Sequence, residues 1–397
     1  MTGLLFRQTA SVLQVSETSP SMLRPWELNP QVVRRPRLLD IARIVLAKGS
    51  LSTPERRMFV ERIVACYPQA EVVDQQRLAH NQIRFDECSP EKRVERGKRT
   101  LVFGEHRSAV RFSSEAGNTC PNYWHFSPTG FCHFGCRYCY LAGTPGVWHS
   151  PTIRVFLNLD EILSTINRVA RGLARPTAFY LGKLQDGLAL DPLTGFSQVV
   201  IPFFARHPYA RQIVLTKTDE VDGLLGLDHG GRTILSWSLN PQEVIAVYEE
   251  NTPSLDERIL AMRRCAESGY PIRAVVMPLI PVPNWQTFYC DFIRRLLWEV
   301  PVARLTLGGI CIYRQALQLL ESKMGKGNAI CANLVDDRSA DGRRRFPWSL
   351  RQAMYAHLIQ AAHEVDPGLE IALCLEEAQL WQAVGLRDNV GRCNCAL

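Results

Sequence analysis

The chain has 397 residues, of which 46% are hydrophobic and 21% are charged. This composition is typical of a globular protein with a large core and excludes a disordered or low-complexity chain. An excess of 46 Lys and Arg over 39 Asp and Glu gives a net charge of +7, which suits an anionic or nucleotide-like ligand but more often reflects a mildly basic surface.

The thirteen cysteines do not indicate a disulfide framework. Their number is odd, the chain is long, and its first residues lack the apolar run of a secretory signal. No stretch approaches the ~18 apolar residues of a membrane span. We therefore predict a cytoplasmic protein with reduced cysteines and no membrane contact.

The first part of the chain is predicted to be an extension that precedes the main domain. Residues 1–37 contain four prolines and predict an irregular leader. Helical patterns follow over 38–48 and 54–66, the second opened by a capping-like sequence, Ser52 to Glu55. We assign residues 1–97 to this N-terminal extension, because the pattern changes at about residue 98 with the strand-like sequence RTLVFG.

Strand-like and helix-like runs then alternate, which predicts an α/β fold with a parallel sheet. The strand-like runs are TIRVFLN (152–158), TAFYLG (177–182), QIVLTK (212–217), TILSWSLN (233–240), IRAVVMP (272–278) and ARLTLGGICIY (303–313). Helical runs lie near 159–172, 197–206, 242–268 and 285–298. Six such units favour a partial (β/α)6 barrel over 98–315, with functional residues at the carboxyl ends of its strands.

The remaining residues, 316–397, are predicted to form a C-terminal extension. It contains a helix, a short strand LEIALCL (369–375), a second helix and the cysteine-containing sequence GRCNCAL (391–397).

Three candidate metal-binding cysteines lie on one loop. The sequence GFCHFGCRYCYLAG (130–143) places Cys132, Cys136 and Cys139 at a C-x₃-C-x₂-C spacing. Three thiolates on a tight loop can hold three corners of an iron–sulfur cube and leave one iron open to another ligand. A zinc site that uses His133 is the alternative, but the spacing is not that of the usual zinc pairs.

The motif, with Tyr138 before its last cysteine, resembles the radical S-adenosylmethionine (SAM) signature. The resemblance implies a [4Fe-4S] cluster whose open iron binds SAM. It also implies reductive cleavage of SAM to methionine and a 5′-deoxyadenosyl radical, which removes a hydrogen atom from the substrate. The electron would come from a reductant such as flavodoxin or ferredoxin.

Longer stretches are similar to the spore photoproduct lyase family. They are GKRTLVFGEHRSAVRF, CHFGCRYCYL, TIRVFLNLDEIL, LTKTDEVDGLL, TILSWSLNP and LDERILAMRRCAESGYPIRAVVMPLIP, and similarity runs from about residue 80 to about 315. The resemblance implies that Lys217, Ser238 and Asn240 hold SAM. It also makes Tyr138 and Tyr140 catalytic residues that line the SAM and radical pocket, with Tyr138 touching the cofactor.

Asp186 follows a predicted strand in GKLQDGLALD and is a candidate cofactor contact. A turn-capping aspartate is the alternative reading of this residue.

The chain departs from the family at one catalytic position. The repair lyase returns hydrogen to its product from a cysteine shortly after the second barrel strand. Here no cysteine lies between Cys139 and Cys265, and Lys183 stands at that place. An ammonium group cannot donate a hydrogen atom as a thiol does, so a donor would have to be Tyr180 or a tyrosine next to the cluster.

Four further cysteines predict a second site. Cys374 ends a strand, Cys393 and Cys395 form C-x-C, and Cys311 ends the sixth barrel strand. These thiols would be able to hold an auxiliary iron–sulfur cluster, or they are buried and unrelated.

The leading hypothesis is a radical SAM enzyme that takes hydrogen from a nucleotide or nucleoside. A lyase needs only the first cluster, whereas sulfur insertion in nucleoside natural-product biosynthesis needs the second. One alternative is pyrimidine-dimer repair in DNA with a non-cysteine donor. Another is a non-catalytic protein that binds zinc or DNA.

Overall fold

The structure is a computed structural model that describes residues 33–86, 89–114, 118–335 and 342–397. Nearly all of the predicted leader, residues 1–37, lies outside the described residues. The strands are β1 (Arg43–Ala47), β2 (Glu71–Gln75), β3 (Thr100–Gly104), β4 (Val110–Ser113), β5 (Tyr123–Phe126), β6 (Thr129–Gly130), β7 (Gly135–Cys136), β8 (Ile153–Phe156), β9 (Thr177–Leu181), β10 (Ala210–Thr216), β11 (Thr233–Ser238), β12 (Glu249–Glu250), β13 (Ile272–Val276), β14 (Val302–Leu307) and β15 (Glu370–Leu373).

Helices connect and cover these strands. They are α1 (Pro54–Ala65), α2 (Pro90–Lys98), α3 (Pro145–His149), α4 (Leu159–Leu173), α5 (Asp191–Thr194), α6 (Ser197–Arg206), α7 (Gln242–Tyr248), α8 (Leu255–Glu267), α9 (Trp285–Glu299), α10 (Arg314–Met324), α11 (Trp348–Val365) and α12 (Ala378–Ala383). The predicted helices over 54–66, 159–172, 197–206, 242–268 and 285–298 are therefore confirmed.

An eight-stranded sheet forms the barrel. Its order is β15-β14-β13-β11-β10-β9-β5-β4, and all neighbours are parallel except β4, which runs antiparallel to β5. Strands such as β13 are buried along their whole length, as expected where both faces of a parallel sheet are covered. The predicted α/β class and its mostly parallel sheet are confirmed.

A second sheet of five strands has the order β2-β1-β3-β8-β6. It contains two runs that the sequence analysis placed within the barrel domain. RTLVFG forms β3 and TIRVFLN forms β8, and the two pair with each other. The strand prediction is correct for both runs, but TIRVFLN was wrongly counted among the barrel strands. This sheet crosses the predicted boundary at 97/98.

The first barrel strand is instead β5, in a stretch that the sequence analysis treated as loop. Its four residues, YWHF, are too short and too closely flanked by prolines to show a strand period. β15, predicted as a strand of the C-terminal extension, adds to the other edge of the barrel sheet beside β14.

The helix predicted over 38–48 was wrong. Ile44, Val45 and Leu46 form the centre of β1, between β2 and β3, and all three are buried. A continuous apolar run of this length fits a buried strand as well as a helix. The next helix begins where predicted, because Thr53 caps it by accepting a hydrogen bond from Arg56 N at 3.3 Å.

The last residues of the chain lie against the inner face of the barrel sheet. Ser236, Arg273 and Arg304 are side by side on β11, β13 and β14. Ser236 Oγ donates to Asn394 Oδ1 at 2.9 Å, and both arginines donate to backbone carbonyls of residues 393–397. We call residues 391–397 the tail segment.

The packing on the other face of the barrel sheet can be tested by a substitution at Phe179. Its ring is fully buried on β9, 6.3 Å from Trp124 and 6.2 Å from Phe204 between ring centroids. Phe179→Ala should lower the free energy of unfolding by about 3–5 kcal/mol, because it leaves a cavity in the core. Trp298, 87% exposed, is the control, and Trp298→Ala should change stability by less than about 0.5 kcal/mol in urea unfolding. Equal effects would contradict this packing.

Candidate functional site

The three cysteines of the motif lie on a loop that begins and ends in the five-stranded sheet. The loop follows β6, and the chain re-enters the sheet at β8. Within it, Cys136 belongs to β7, which pairs antiparallel with β12 so that Cys136 faces Glu249. The two strands approach closely at Gly135, where an added Cβ would lie 2.5 Å from the Glu250 carbonyl oxygen. Glycine at this position therefore allows the loop to reach the barrel.

Burial dominates the protonation of two of these thiols. It raises the pKa of Cys132 well above its usual range and that of Cys136 to about 12, although Lys98 and Lys217 act in the opposite direction. Binding of iron to these two thiols must therefore release protons. In the described parts of the chain, no three His, Cys, Asp or Glu side chains are arranged to hold one metal ion.

Lys217 lies beside this loop, directly after β10. Its ammonium contacts Ser238 Oγ and is 3.6 Å from Glu249 Oε1. The same ammonium is 5.9 Å from the centroid of the Tyr138 ring. Lys217 and Ser238 are both buried. The structure therefore brings the carboxyl ends of β10 and β11 together with the cysteine loop.

Glu249 connects these groups. Its carboxylate accepts hydrogen bonds from the Tyr138 hydroxyl and, at 3.2 Å, from Asn240 Nδ2, and it lies 2.6 Å from an Arg258 nitrogen. Burial alone would raise the pKa of Glu249, but the cations of Arg258 and Lys217 and the hydrogen bonds lower this pKa to about 2. Glu249 is a buried anion, and two buried cations surround it.

Asn240 is held from its other side. Its Oδ1 accepts a hydrogen bond from the Tyr289 hydroxyl at 2.8 Å, and its side chain is fully buried. Ser238 and Asn240 are thus placed by β11 and locked by neighbours on other elements. The structure brings Tyr138, Lys217, Ser238 and Asn240 together, and their roles in binding SAM stay predictions.

Asp186 has a structural role. Its Oδ1 accepts hydrogen bonds from Leu188 N, Ala189 N and Thr216 Oγ1, and its Oδ2 accepts one from Lys217 N at 2.7 Å. Both oxygens thus accept hydrogen bonds from the turn after β9 and the end of β10. These are the contacts expected of the turn-capping alternative, and through them Asp186 positions Lys217. Its role as a cofactor contact stays a prediction.

Tyr140 lies at the rim of the site. Its side chain is 41% exposed, and its hydroxyl donates to the Lys183 carbonyl oxygen at 2.7 Å. The Lys183 ammonium contacts Ser113 Oγ and lies 5.2 Å from the centroid of the Tyr123 ring. Lys183, which the sequence analysis assigned to the position of the missing donor thiol, is therefore next to Tyr140 and the cysteine loop.

The cysteines of the C-terminal extension meet inside the barrel. The Cys393 sulfur accepts hydrogen bonds from the thiols of Cys120 and Cys395, and these lower the pKa of Cys393 well below its usual range. Cys374 adjoins Cys393 and Cys311, and burial raises the pKa of Cys374. Cys120, which the sequence analysis did not select, is thus a member of this group.

Three residues of the site were missed from the sequence. Glu249 and Arg258 lie in the stretch 242–268, which was predicted to be helical. Glu249 instead belongs to β12, which pairs with β7, and Arg258 is fully buried on α8. Cys120 precedes β5, which was itself missed. The one available signal was that Cys120 lies only twelve residues before Cys132.

Comparison with known proteins identifies the family of this chain. A model of the spore photoproduct lyase family matches residues 55–307, more than half of the chain. The chain belongs to the spore photoproduct lyase family. This is a radical SAM family, so the recognition made from the cysteine motif and its flanking stretches is confirmed.

Two relatives show how far this chain differs in sequence from other members of the family. Spore photoproduct lyase of Geobacillus sp. (strain Y412MC61) is 33% identical over 222 residues, which are 55% of this chain and 63% of the relative. That of Bacillus subtilis (strain 168) is 31% identical over 227 residues, or 56% of this chain and 64% of the relative. The matched region therefore spans less than two thirds of these curated relatives.

Solved structures show the same fold. A spore photoproduct lyase complexed with dinucleoside spore photoproduct superposes with a TM-score of 0.74 at 23% identity, covering 86% of this chain and 100% of the other. A double mutant with bound AdoMet and dinucleoside spore photoproduct gives a TM-score of 0.73 over 85% and 99%. Separately, none of the helices in the described residues is long and apolar enough to cross a bilayer.

The Glu249 network gives a prediction about acid stability. Because the folded-state pKa lies near 2, below that of an unfolded glutamate, the carboxylate stabilises the fold above about pH 4.3 and this contribution is lost as pH falls towards 2. Glu249→Gln should cost about 3–5 kcal/mol at pH 7, since it leaves Lys217 and Arg258 unpaired. The loss should shrink as pH falls from 5 to 3, as measured by urea unfolding.

Glu243→Gln is the matched control, because Glu243 is exposed on the adjacent α7. It should change stability by less than about 0.5 kcal/mol at each pH. If Glu249→Gln behaved like this control, the carboxylate would not be the buried centre of the network.

Proposed function

We propose that this chain is a radical SAM lyase that removes a hydrogen atom from a nucleotide-type substrate. The observation that carries the proposal is the position of the cysteine loop against the ends of two barrel strands. There Cys136 faces Glu249, and Glu249 lies 3.6 Å from the Lys217 ammonium. Membership of a radical SAM family supports this reading of the site.

The residues present fit a [4Fe-4S] cluster and SAM. Cys132, Cys136 and Cys139 would hold three irons, and the fourth would be open to SAM. With SAM bound and an electron from a flavodoxin or ferredoxin, the cluster supplies the 5′-deoxyadenosyl radical. Lys217, Ser238 and Asn240 would hold the SAM carboxylate and ribose.

The charges of the site favour an anionic group at this place. Glu249 carries one negative charge, whereas Lys217 and Arg258 carry two positive charges. Arg258 is also bound to the Ser238 carbonyl oxygen at 3.0 Å, so the excess charge lies with Lys217. A lysine has three N–H donors, and the SAM carboxylate is a suitable acceptor for one of them.

Membership of this family supports a lyase. It gives no support to sulfur insertion into a nucleoside. The solved relatives carry dinucleoside spore photoproduct in their names, which makes a pyrimidine dinucleotide in DNA the first substrate class to test. We also propose a cytoplasmic enzyme.

A second candidate function differs in the residue that returns a hydrogen atom to the product radical. In the repair reaction a product radical must receive a hydrogen atom, and Lys183 cannot supply one. Tyr140 lies beside Lys183 through its hydrogen bond to the Lys183 carbonyl oxygen. Repair of a pyrimidine dimer with Tyr140 as the donor is therefore the alternative.

The cluster assignment is tested by Cys136→Ala. Anaerobically reconstituted protein should lose nearly all 5′-deoxyadenosine release from SAM, because one iron loses its ligand while the peripheral loop leaves the barrel folded. The release is quantified by chromatography. Cys66→Ala, at a partly buried thiol just after α1, should keep the activity of the parent. Equal release by both variants would remove the radical SAM assignment and favour a non-catalytic zinc-binding or DNA-binding protein.

The substrate class is tested at the position of the missing donor. If the substrate is a pyrimidine dimer, Lys183→Cys should raise the yield of repaired dinucleotide severalfold, since it places a thiol where the repair lyase has its donor. Lys183→Ala removes the same ammonium without adding a thiol and should give no gain. Repaired dinucleotide and 5′-deoxyadenosine are measured together. If both variants cleave SAM and neither repairs the dinucleotide, the substrate is of another class.

A further inference from the structure

Four thiols meet at one place, although they come from three distant parts of the chain. Cys120 precedes β5, Cys374 follows β15, and Cys393 and Cys395 belong to the tail segment. Cys393 and Cys395 are buried in one cluster of side chains, and Cys120 packs against that cluster. The Cys374 thiol is close enough to both tail thiols for their charges to interact. None of the four forms a disulfide. Four such thiols are the usual ligand set of an iron–sulfur cluster.

The location of the group explains why three parts of the chain are needed. β5 lies next to one edge of the barrel sheet, and β15 forms the other edge. The segment before β5 contacts the segment after β15, since Thr119 N and Thr119 Oγ1 both donate to the Glu376 carbonyl oxygen at 2.9 Å. The tail segment lies beside this contact. The four thiols therefore lie where these two segments meet.

The tail segment is firmly held. Cys393, Asn394 and Cys395 are 1%, 3% and 8% exposed. Arg273 Nη1 donates to the carbonyl oxygens of Asn394 and Ala396, at 3.2 Å and 2.6 Å. A segment that frayed into solvent could not present two thiols at a defined place, so this burial preorganises them.

The surrounding charge suits an anionic group. The cations of Arg273 and Arg304 act on the tail thiols, and that of Arg343 acts on Cys374. All three arginines are buried. A cluster bound by four thiolates is anionic, and buried cations offset the cost of placing it inside the protein.

We propose that Cys120, Cys374, Cys393 and Cys395 hold a second iron–sulfur cluster. This ligand set differs from the one expected from the sequence, because Cys120 takes the place of Cys311. Cys120 packs against the buried cluster of side chains that contains Cys393 and Cys395, and that cluster does not include Cys311. The proposal does not depend on the substrate of the enzyme.

Zinc uses a four-thiolate ligand set as well. The metal content of the protein therefore distinguishes a cluster from zinc, and the experiments below measure it.

The second cluster can be tested separately once the three cysteine ligands of the first cluster are removed. A triple variant, Cys132→Ala/Cys136→Ala/Cys139→Ala, should still bind about four iron atoms per chain after anaerobic reconstitution. Reduced protein should show the electron paramagnetic resonance signal of a cluster, a readout independent of SAM cleavage. Adding Cys393→Ala/Cys395→Ala to this variant should remove the remaining iron. Retention of that iron, or its absence from the triple variant, would overturn the proposal.

Single variants test the ligand set. In the triple background Cys120→Ser should lose the remaining iron, and Cys311→Ala should keep it. The reverse result would overturn the assignment of Cys120. About one zinc per chain, or a disulfide found by thiol titration without metal, would overturn the cluster itself. Circular dichroism checks that each variant is folded, and if the tail variants unfold, the iron content of the triple variant still decides.

Discussion

The buried contact between Glu249 and its two cations is the constraint on which the site depends. Glu249 is reached from the cysteine loop through β7, from β10 through Lys217, and from α8 through Arg258. Each partner would be costly to bury alone, so the three elements are stable only in this arrangement. The network therefore sets the distance between the triad and the strand ends before any cofactor binds.

The two sheets share the task of presenting the cysteines. The five-stranded sheet supplies both ends of the loop, at β6 and β8, and the barrel supplies Lys217, Ser238 and Asn240. The candidate site thus lies between the two sheets, and both sheets contribute residues to it. A change in the packing of the N-terminal extension would move the triad relative to the barrel.

Some of this arrangement was predictable from the sequence. The triad has a recognisable spacing, and Lys217 and Ser238 end strand-like runs, so parallel topology alone predicts that they lie close together. The sheet membership of β8 was not predictable, because a buried parallel strand has the same apolar pattern in either sheet. Glu249 was missed because two of its partners, Tyr138 and Lys217, lie far away in sequence. Cys120 was missed because it packs against cysteines of the tail segment, at the other end of the described chain.

The contact between Thr119 and Glu376 has a consequence for folding. These residues are 257 positions apart. The chain therefore loses conformational entropy in closing a long loop before the segments that contain them can meet. Local βα units do not carry this cost and can form earlier. We therefore expect the barrel to pass through an open intermediate, whose unpaired strand edges are exposed to aggregation until the tail segment has docked.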